Sequence, residues 1–223
     1  MSLTIRSRLY ILALVPLLVI ALGMLGFTYV KTSELNDQQI DVTRTNMMNM
    51  KKAELRNYLQ MAKSAVQPFL DRGASLEEAY PTLKTLEYGK TGYVFGYDSK
   101  GIRRVQGQSS KGIGDSFWNL QDKQGNYLIQ DLIRNAKTGE FTTYYFPKPG
   151  ETEALPKLSY SIFIPEWDLM LGTGFYTDDI DAIVAEMENA TTEALQETLS
   201  AIILFCIVTV SYTHLTLPTR LPV

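Results

Sequence analysis

Residues 9–30 form a run of 22 positions without a charge. As a helix rising about 1.5 Å per residue it reaches roughly 33 Å, enough for a hydrocarbon core of about 30 Å. A secretory signal peptide carries an apolar stretch of only about 7–15 residues and a small-x-small cleavage site. This run is longer and leaves through Phe27, Thr28, Tyr29, Val30 and Lys31, which predicts an uncleaved transmembrane helix over 9–30. Arg6 and Arg8 precede it with no acid nearby, so residues 1–8 are expected in the cytoplasm and the chain beyond Val30 outside.

A second apolar stretch, 199–210, covers only about 18 Å as a helix and reads as the start of a second transmembrane helix, interrupted at Ser211. Pro218 and Pro222 then forbid a continuing helix. Residues 211–223 resemble translated sequencing-adapter read-through at the broken end of an assembled gene. The expectation is a non-native tail, an uninformative His214, and a native protein that continued past its second membrane helix.

Between the two runs the apolar period changes several times. From Lys31 no glycine or proline occurs until Pro68, and Leu55, Leu59, Ala62, Val66 and Phe69 recur at helical spacing, predicting a long helix to about Asp71. Gly73 closes it, and Ser75-Leu76-Glu77-Glu78 is a capping box opening a short helix that ends near Leu86. Residues 92–97 alternate and are rich in aromatics, Asp98-Ser99-Lys100-Gly101 supplies turn chemistry, and 102–106 returns as a hairpin partner. After a polar loop over 107–114, Tyr127, Leu128, Leu132 and Ile133 mark an amphipathic helix over about 126–137, which Gly139 ends. Three further strands are predicted over 140–146, 157–164 and 168–176, and Asp178 and Asp179 precede a last helix. Strands joined by hairpins pair antiparallel. The predicted class is therefore α+β: a long N-terminal helix packed on one antiparallel sheet of about five strands, flanked by transmembrane helices.

Charge sharpens the division. All 24 acids lie between Lys31 and Thr198 together with 18 of the 21 bases, so 31–198 reads as one extracytoplasmic domain of net charge -6. With a whole-chain charge of -3 and no run of five like charges, the chain offers no basic surface for nucleic acid. One cysteine, Cys206, and one histidine, His214, leave serine and cysteine nucleophiles without a base and exclude a thiolate zinc site. Gly172-Thr173-Gly174 lacks the third glycine of a nucleotide fingerprint, and Asp178, Asp179 and Asp181 are accounted for by the dipole of the helix they open. No cofactor, metal or catalytic role is expected. Met47, Met48 and Met50, midway along the long helix, suit flexible core or dimer packing.

Gly92-Tyr93-Val94-Phe95, Gly125-Asn126-Tyr127, Phe146-Pro147-Lys148-Pro149-Gly150, Pro156-Lys157-Leu158-Ser159-Tyr160 and Trp167 followed by Gly172-Thr173-Gly174 resemble the single-Cache sensor domain over about 31–198. The resemblance implies a PAS-like sheet held outside the membrane between two transmembrane helices. It implies an extracytoplasmic sensor of a bacterial methyl-accepting chemotaxis protein, with a histidine kinase or diguanylate cyclase as the other hosts. It also implies pairing as a homodimer through the long helix and short monocarboxylates such as acetate, propionate, pyruvate or lactate as ligands. One departure stands out: where many members carry His-Pro after the second strand, this chain has Val105-Gln106-Gly107-Gln108. A neutral amide donates and accepts hydrogen bonds at any pH, whereas a histidine could also contribute charge.

The expected ligand site is a small aromatic box of Tyr93, Phe95, Trp118, Tyr127 and Tyr144, with Lys157, Ser159 and Gln106 as polar anchors. Tyr93, Phe95 and Tyr97 share one strand face, for which ordinary core packing is the competing reading. Lys157, Ser159 and Ser161 present a cation and two hydroxyls on one face, which suits a carboxylate. Tyr144 and Tyr145 point to opposite faces, so only one can line a pocket. Trp118 follows a glycine loop, where a lid or a buried anchor would sit. A domain of net charge -6 repels anions at long range, so capture must come from a local cation, and Lys157 is the best placed. The competing function is a membrane-anchored envelope enzyme using Glu151 and Glu153, which lie in a Pro/Gly-rich loop with nothing to separate their pKa values.

Overall fold

The computed structural model describes residues 5–89 and 92–216. Helix α1 runs Ile5–Asp71 and α2 Leu76–Leu83; strands follow as β1 Glu87–Tyr88, β2 Gly92–Tyr93, β3 Phe95–Asp98 and β4 Arg103–Gln106. Helix α3 is Leu128–Thr138, strands β5, β6 and β7 are Phe141–Pro147, Ala154–Ile164 and Leu169–Tyr176, and α4 is Asp178–Thr216. Contacts divide the chain into a sheet-bearing unit, Thr45–Ala182, and a helical unit built from the parts of α1 and α4 outside it.

In the first unit a five-stranded sheet has the order β4-β3-β7-β6-β5, every pairing antiparallel, and β1 and β2 form a separate two-stranded ribbon. The expected strand over 92–97 is thus two strands broken at Val94. Alternation along each strand sorts side chains between two cores. Val94, Val105, Ile164, Leu169 and Leu171 pack with Leu59, Ala62 and Val66 of α1 and Ala79 and Leu83 of α2. Phe95, Tyr97, Tyr144 and Met170, on the opposite face, pack with Leu128, Ile129, Leu132, Ile133 and Ala136 of α3. Helix α3 starts two residues later than its period suggested, because Asn126 is held in a loop by Asp122. It stops at Gly139, whose φ of 76° lies in the left-handed region that glycine enters without a Cβ clash.

In the helical unit the two helices line a shared apolar groove of about 320 Å³, with Leu18, Ala21, Leu22 and Leu25 facing Ile203, Cys206, Ile207 and Ser211. Both helices are long and apolar enough to cross a membrane by length and composition, and their most apolar windows are wholly unburied. Residues 211–216 hold no proline, and α4 continues to Thr216, two residues short of Pro218. The tail from Leu217 lies outside the described residues.

Candidate functional site

Lys157 is the centre of the candidate site. It enters on β6 in register with Tyr144 of β5 on one side and Tyr176 of β7 on the other. Strand alternation turns its side chain toward the α3 face, where it is 1% exposed. Its Nζ donates to the Tyr93 hydroxyl at 3.1 Å and lies 4.5 Å from the Tyr93 ring centre, 5.0 Å from Tyr176, 5.5 Å from Phe95 and 5.7 Å from Phe146. Ring faces attract an ammonium. They do not replace the hydrogen bonds it loses on leaving water, and among the described residues no carboxylate lies within ion-pair range.

Two glycines make room for this packing. A Cβ on Gly172 would lie 2.7 Å from the Phe95 ring; one on Gly174 would press on the Ser159 hydroxyl, 2.7 Å from the Leu158 carbonyl and 3.0 Å from Lys157 Cε. The motif that resembles a nucleotide fingerprint is therefore a pair of close-approach positions under the site.

The hydroxyls are already organised. Tyr144 and Ser159 share a hydrogen bond of 2.9 Å, and Ser161 donates to the Leu132 carbonyl at 3.0 Å, which ties it to α3. The Tyr176 hydroxyl donates to the Pro147 carbonyl at 2.6 Å. Burial raises the pKa of Tyr144 well above the ordinary phenol value and raises Tyr176 as well, so both remain neutral donors at physiological pH. The choice between Tyr144 and Tyr145 falls to Tyr144, 4% exposed and inward; Lys123 Nζ stands 3.9 Å from the Tyr145 ring centre.

Two openings meet here. An outer cleft of about 210 Å³ is lined by residues that include Glu87, Tyr93, Gln106, Gln108 and Pro149. An inner cavity of about 10 Å³, the room of about one water, lies among Tyr93, Phe95, Tyr97, Gln106, Leu128, Ile129, Leu132, Tyr144 and Phe146. Tyr93 and Gln106 line both. The cleft carries an acid, Glu87, which accepts from Gln108 at 2.9 Å.

Of the sequence-derived residues, Tyr93, Phe95, Gln106, Tyr144, Lys157 and Ser159 converge. Trp118 and Tyr127 do not: they are 38% and 43% exposed, whereas Lys157 and Ser159, which also line neither opening, are tied to the lining residues Tyr93 and Tyr144 by hydrogen bonds. Trp118 is turned outward because its backbone packs over Gly101, and its neighbour Phe117 takes the inner place. The Arg103 guanidinium lies 3.8 Å from the Phe117 ring centre and donates to Tyr97 at 2.9 Å. Tyr127 is the cap residue of α3, where the helix direction carries its ring outward. Tyr97, Phe146 and Tyr176 complete the box instead. Strand period could have found Phe146, two residues past Tyr144, and Tyr176, two past Gly174; nothing in the loop pattern distinguishes Phe117 from Trp118.

The loop before α3 is held by Asp122, whose carboxylate accepts from the backbone N–H groups of Gln124, Asn126 and Tyr145 and from the Asn126 side chain. Burial pushes its pKa up, and these hydrogen bonds more than offset that, leaving it below the usual carboxylate range. A depressed folded-state pKa gives stability that is present above the unfolded value and lost as pH falls through the folded one. Acidification below about pH 4 should therefore loosen this loop from β5, and Asp122→Asn should remove the acid-side step; proteolytic nicking of the loop against pH would show it.

Residues 33–190 match the family model described as single Cache domain 2. The methyl-accepting chemotaxis protein CtpM of Pseudomonas aeruginosa is 33% identical over 210 residues, covering 91% of this chain and 37% of the relative. The sensor histidine kinase MctS of Rhizobium johnstonii is 34% identical over 185 residues, covering 80% of this chain and 40% of the relative. The crystal structure of a methyl-accepting chemotaxis protein from Vibrio parahaemolyticus is 31% identical with a TM-score of 0.59, covering 64% of this chain and 99% of that one. A Cache chemosensory domain solved to explain carboxylic acid recognition shares the fold at 22% identity and a TM-score of 0.53, covering 59% of this chain and 97% of that one.

Proposed function

Because the chain belongs to the single Cache domain 2 family, we propose that it is the sensing part of a membrane-anchored chemoreceptor that detects a short monocarboxylate outside the cytoplasmic membrane. The observation that carries this reading is Lys157: a buried ammonium among aromatic rings, hydrogen-bonded to a single phenol and lacking a carboxylate partner among the described residues. A ligand carboxylate supplies the missing charge and acceptors. Tyr144 and Ser159 add hydroxyls, and Phe95, Leu128 and Phe146 offer an apolar wall to a short carbon chain. The acidic cleft wall at Glu87 leaves attraction to the buried cation alone. That a Cache chemosensory domain of the same fold recognises a carboxylic acid supports the carboxylate part of this reading.

Two apolar helices with unburied spans support insertion in the bilayer, with the sheet-bearing unit outside. Leu35, Val42, Met50 and Met61 expose large apolar side chains along α1, which supports pairing of two copies through that helix. The chain spans about two fifths of the length of the curated relatives it matches. The kinase among them supports a second host for the same sensor, a histidine kinase. Glu151 and Glu153, the residues of an enzyme reading, stand exposed at the β5–β6 turn and line neither of the two openings described above.

Thermal-shift screening of the full chain in detergent against small acids, amines, amino acids and sugars tests the reading. Acetate, propionate, pyruvate or lactate should raise the melting temperature by an amount that grows with the logarithm of ligand excess over Kd. Stabilisation by amines or neutral sugars alone would refute the carboxylate assignment.

A further inference from the structure

The contact between Lys157 and Tyr93 also leads out of the site. Tyr93 gives Lys157 its acceptor through the phenol oxygen, while its own backbone carbonyl accepts at 2.8 Å from the Thr173 hydroxyl. Thr173 is fully buried, and a threonine hydroxyl has one hydrogen to donate. With that hydrogen directed to Tyr93, Tyr88 donates in the short contact between the two hydroxyls, the Gly174 carbonyl at 3.4 Å being its other acceptor. Burial pushes the Tyr88 pKa up to about 12, so this proton is retained throughout the physiological range. The Tyr88 ring stacks on Tyr58 of α1, with centroids 3.9 Å apart and planes inclined by 19°. Lys157, Tyr93, Thr173, Tyr88 and Tyr58 thus form one continuous chain from the buried cation to the long helix.

The links differ in stiffness. Thr173 and Lys157 sit in the five-stranded sheet, paired along most of its length. Tyr93 belongs to β2, which among the described residues is two residues long and pairs with the equally short β1 that carries Tyr88. A pairing of that length is weak on its own.

We propose that the Tyr93 phenol is an internal stand-in for the ligand carboxylate, and that its displacement from Lys157 is relayed through Thr173 and Tyr88 to Tyr58 on α1. This rests on the reading that Lys157 receives the carboxylate. The two arrangements are Tyr93 bound to Lys157 with the Tyr88–Tyr58 stack in place, and Tyr93 released with the stack shifted. Ligand favours the second because it binds only where the phenol has left.

The test needs no ligand for its main arm. The full chain, labelled with 3-fluorotyrosine in lipid nanodiscs, gives a fluorine resonance for Tyr58 that Tyr58→Phe identifies. Tyr93→Phe removes the stand-in and should by itself shift the Tyr58 resonance; adding Tyr88→Phe should abolish the shift. Lys157→Met releases the same phenol from the other side and should act alike, which guards against a defect peculiar to Tyr93→Phe. A Tyr58 resonance unchanged in both folded variants overturns the relay. With propionate as probe, Tyr93→Phe should tighten binding about two- to tenfold, since a competing hydrogen bond is gone. A tenfold loss with Tyr58 unmoved would make Tyr93 a plain ligand contact and also overturn it. If Lys157→Met binds propionate as tightly as the parent while Tyr58 still responds to Tyr93→Phe, the carboxylate reading falls and the relay stands.

Discussion

Replacing Lys157 with methionine should cost about ten- to hundredfold in affinity for a short monocarboxylate, as expected when a charge-assisted hydrogen bond worth about 1.5–3 kcal/mol is lost. The same change should leave the ligand-free domain at least as heat-stable as the parent. Methionine keeps an unbranched apolar stem among Tyr93, Phe95, Phe146 and Tyr176, and it removes an ammonium that is 1% exposed and faces no acid among the described residues. Burying an incompletely partnered charge is unfavourable, and hydrophobic replacements of such groups are often neutral or stabilising. Calorimetric titration and thermal melting of the one variant should therefore move in opposite directions. Unchanged affinity would remove Lys157 from the site, and a large drop in melting temperature would make the residue structural.

Gly174→Ala should damage both stability and binding. The added Cβ has no open direction: it meets the Ser159 hydroxyl, stands 2.7 Å from the Leu158 carbonyl on the paired strand and 3.0 Å from Lys157 Cε. A side-chain end could turn aside, but the Leu158 carbonyl belongs to the β6–β7 ladder, in register from Lys157 to Ile164. Overpacking of this kind costs typically about 1–3 kcal/mol, which lowers the melting temperature by about 2–4 °C per kcal/mol in a domain of this size. The relief available is outward movement of β6, which carries Lys157 and Ser159 with it. A Gly174→Ala protein that melts and binds like the parent would show that the close approach is not required.

Much of the architecture was legible in order and type. Period 3.6 over Leu55 to Phe69, the capping box at Ser75 and alternation in residues 140–176 correspond to α1, α2 and the three strands β5 to β7. The break at Val94 was not legible, because Tyr93 and Phe95 keep strict alternation across it while their backbones pair with different partners. At the C-terminal end the sequence changes character at Ser211, yet residues 211–216 hold no proline and are helical.

The site divides along the same line. That Lys157 and Ser159 lie on one strand face, and that Tyr144 and Tyr145 lie on opposite faces, follows from the two-residue repeat of any strand and needs no structure. Which face of β6 is covered by α3, and therefore that Lys157 is buried rather than solvated, depends on packing between elements far apart in sequence. The same holds for Tyr176, brought beside Lys157 by antiparallel register, and for Phe117 taking the inner place expected of Trp118. The chain by itself therefore determined the elements, their order and the residue types available for capturing an anion, because those rest on local geometry. Tertiary structure alone decided which of these residues meet, since burial and register are set by contacts between distant segments that no local pattern encodes.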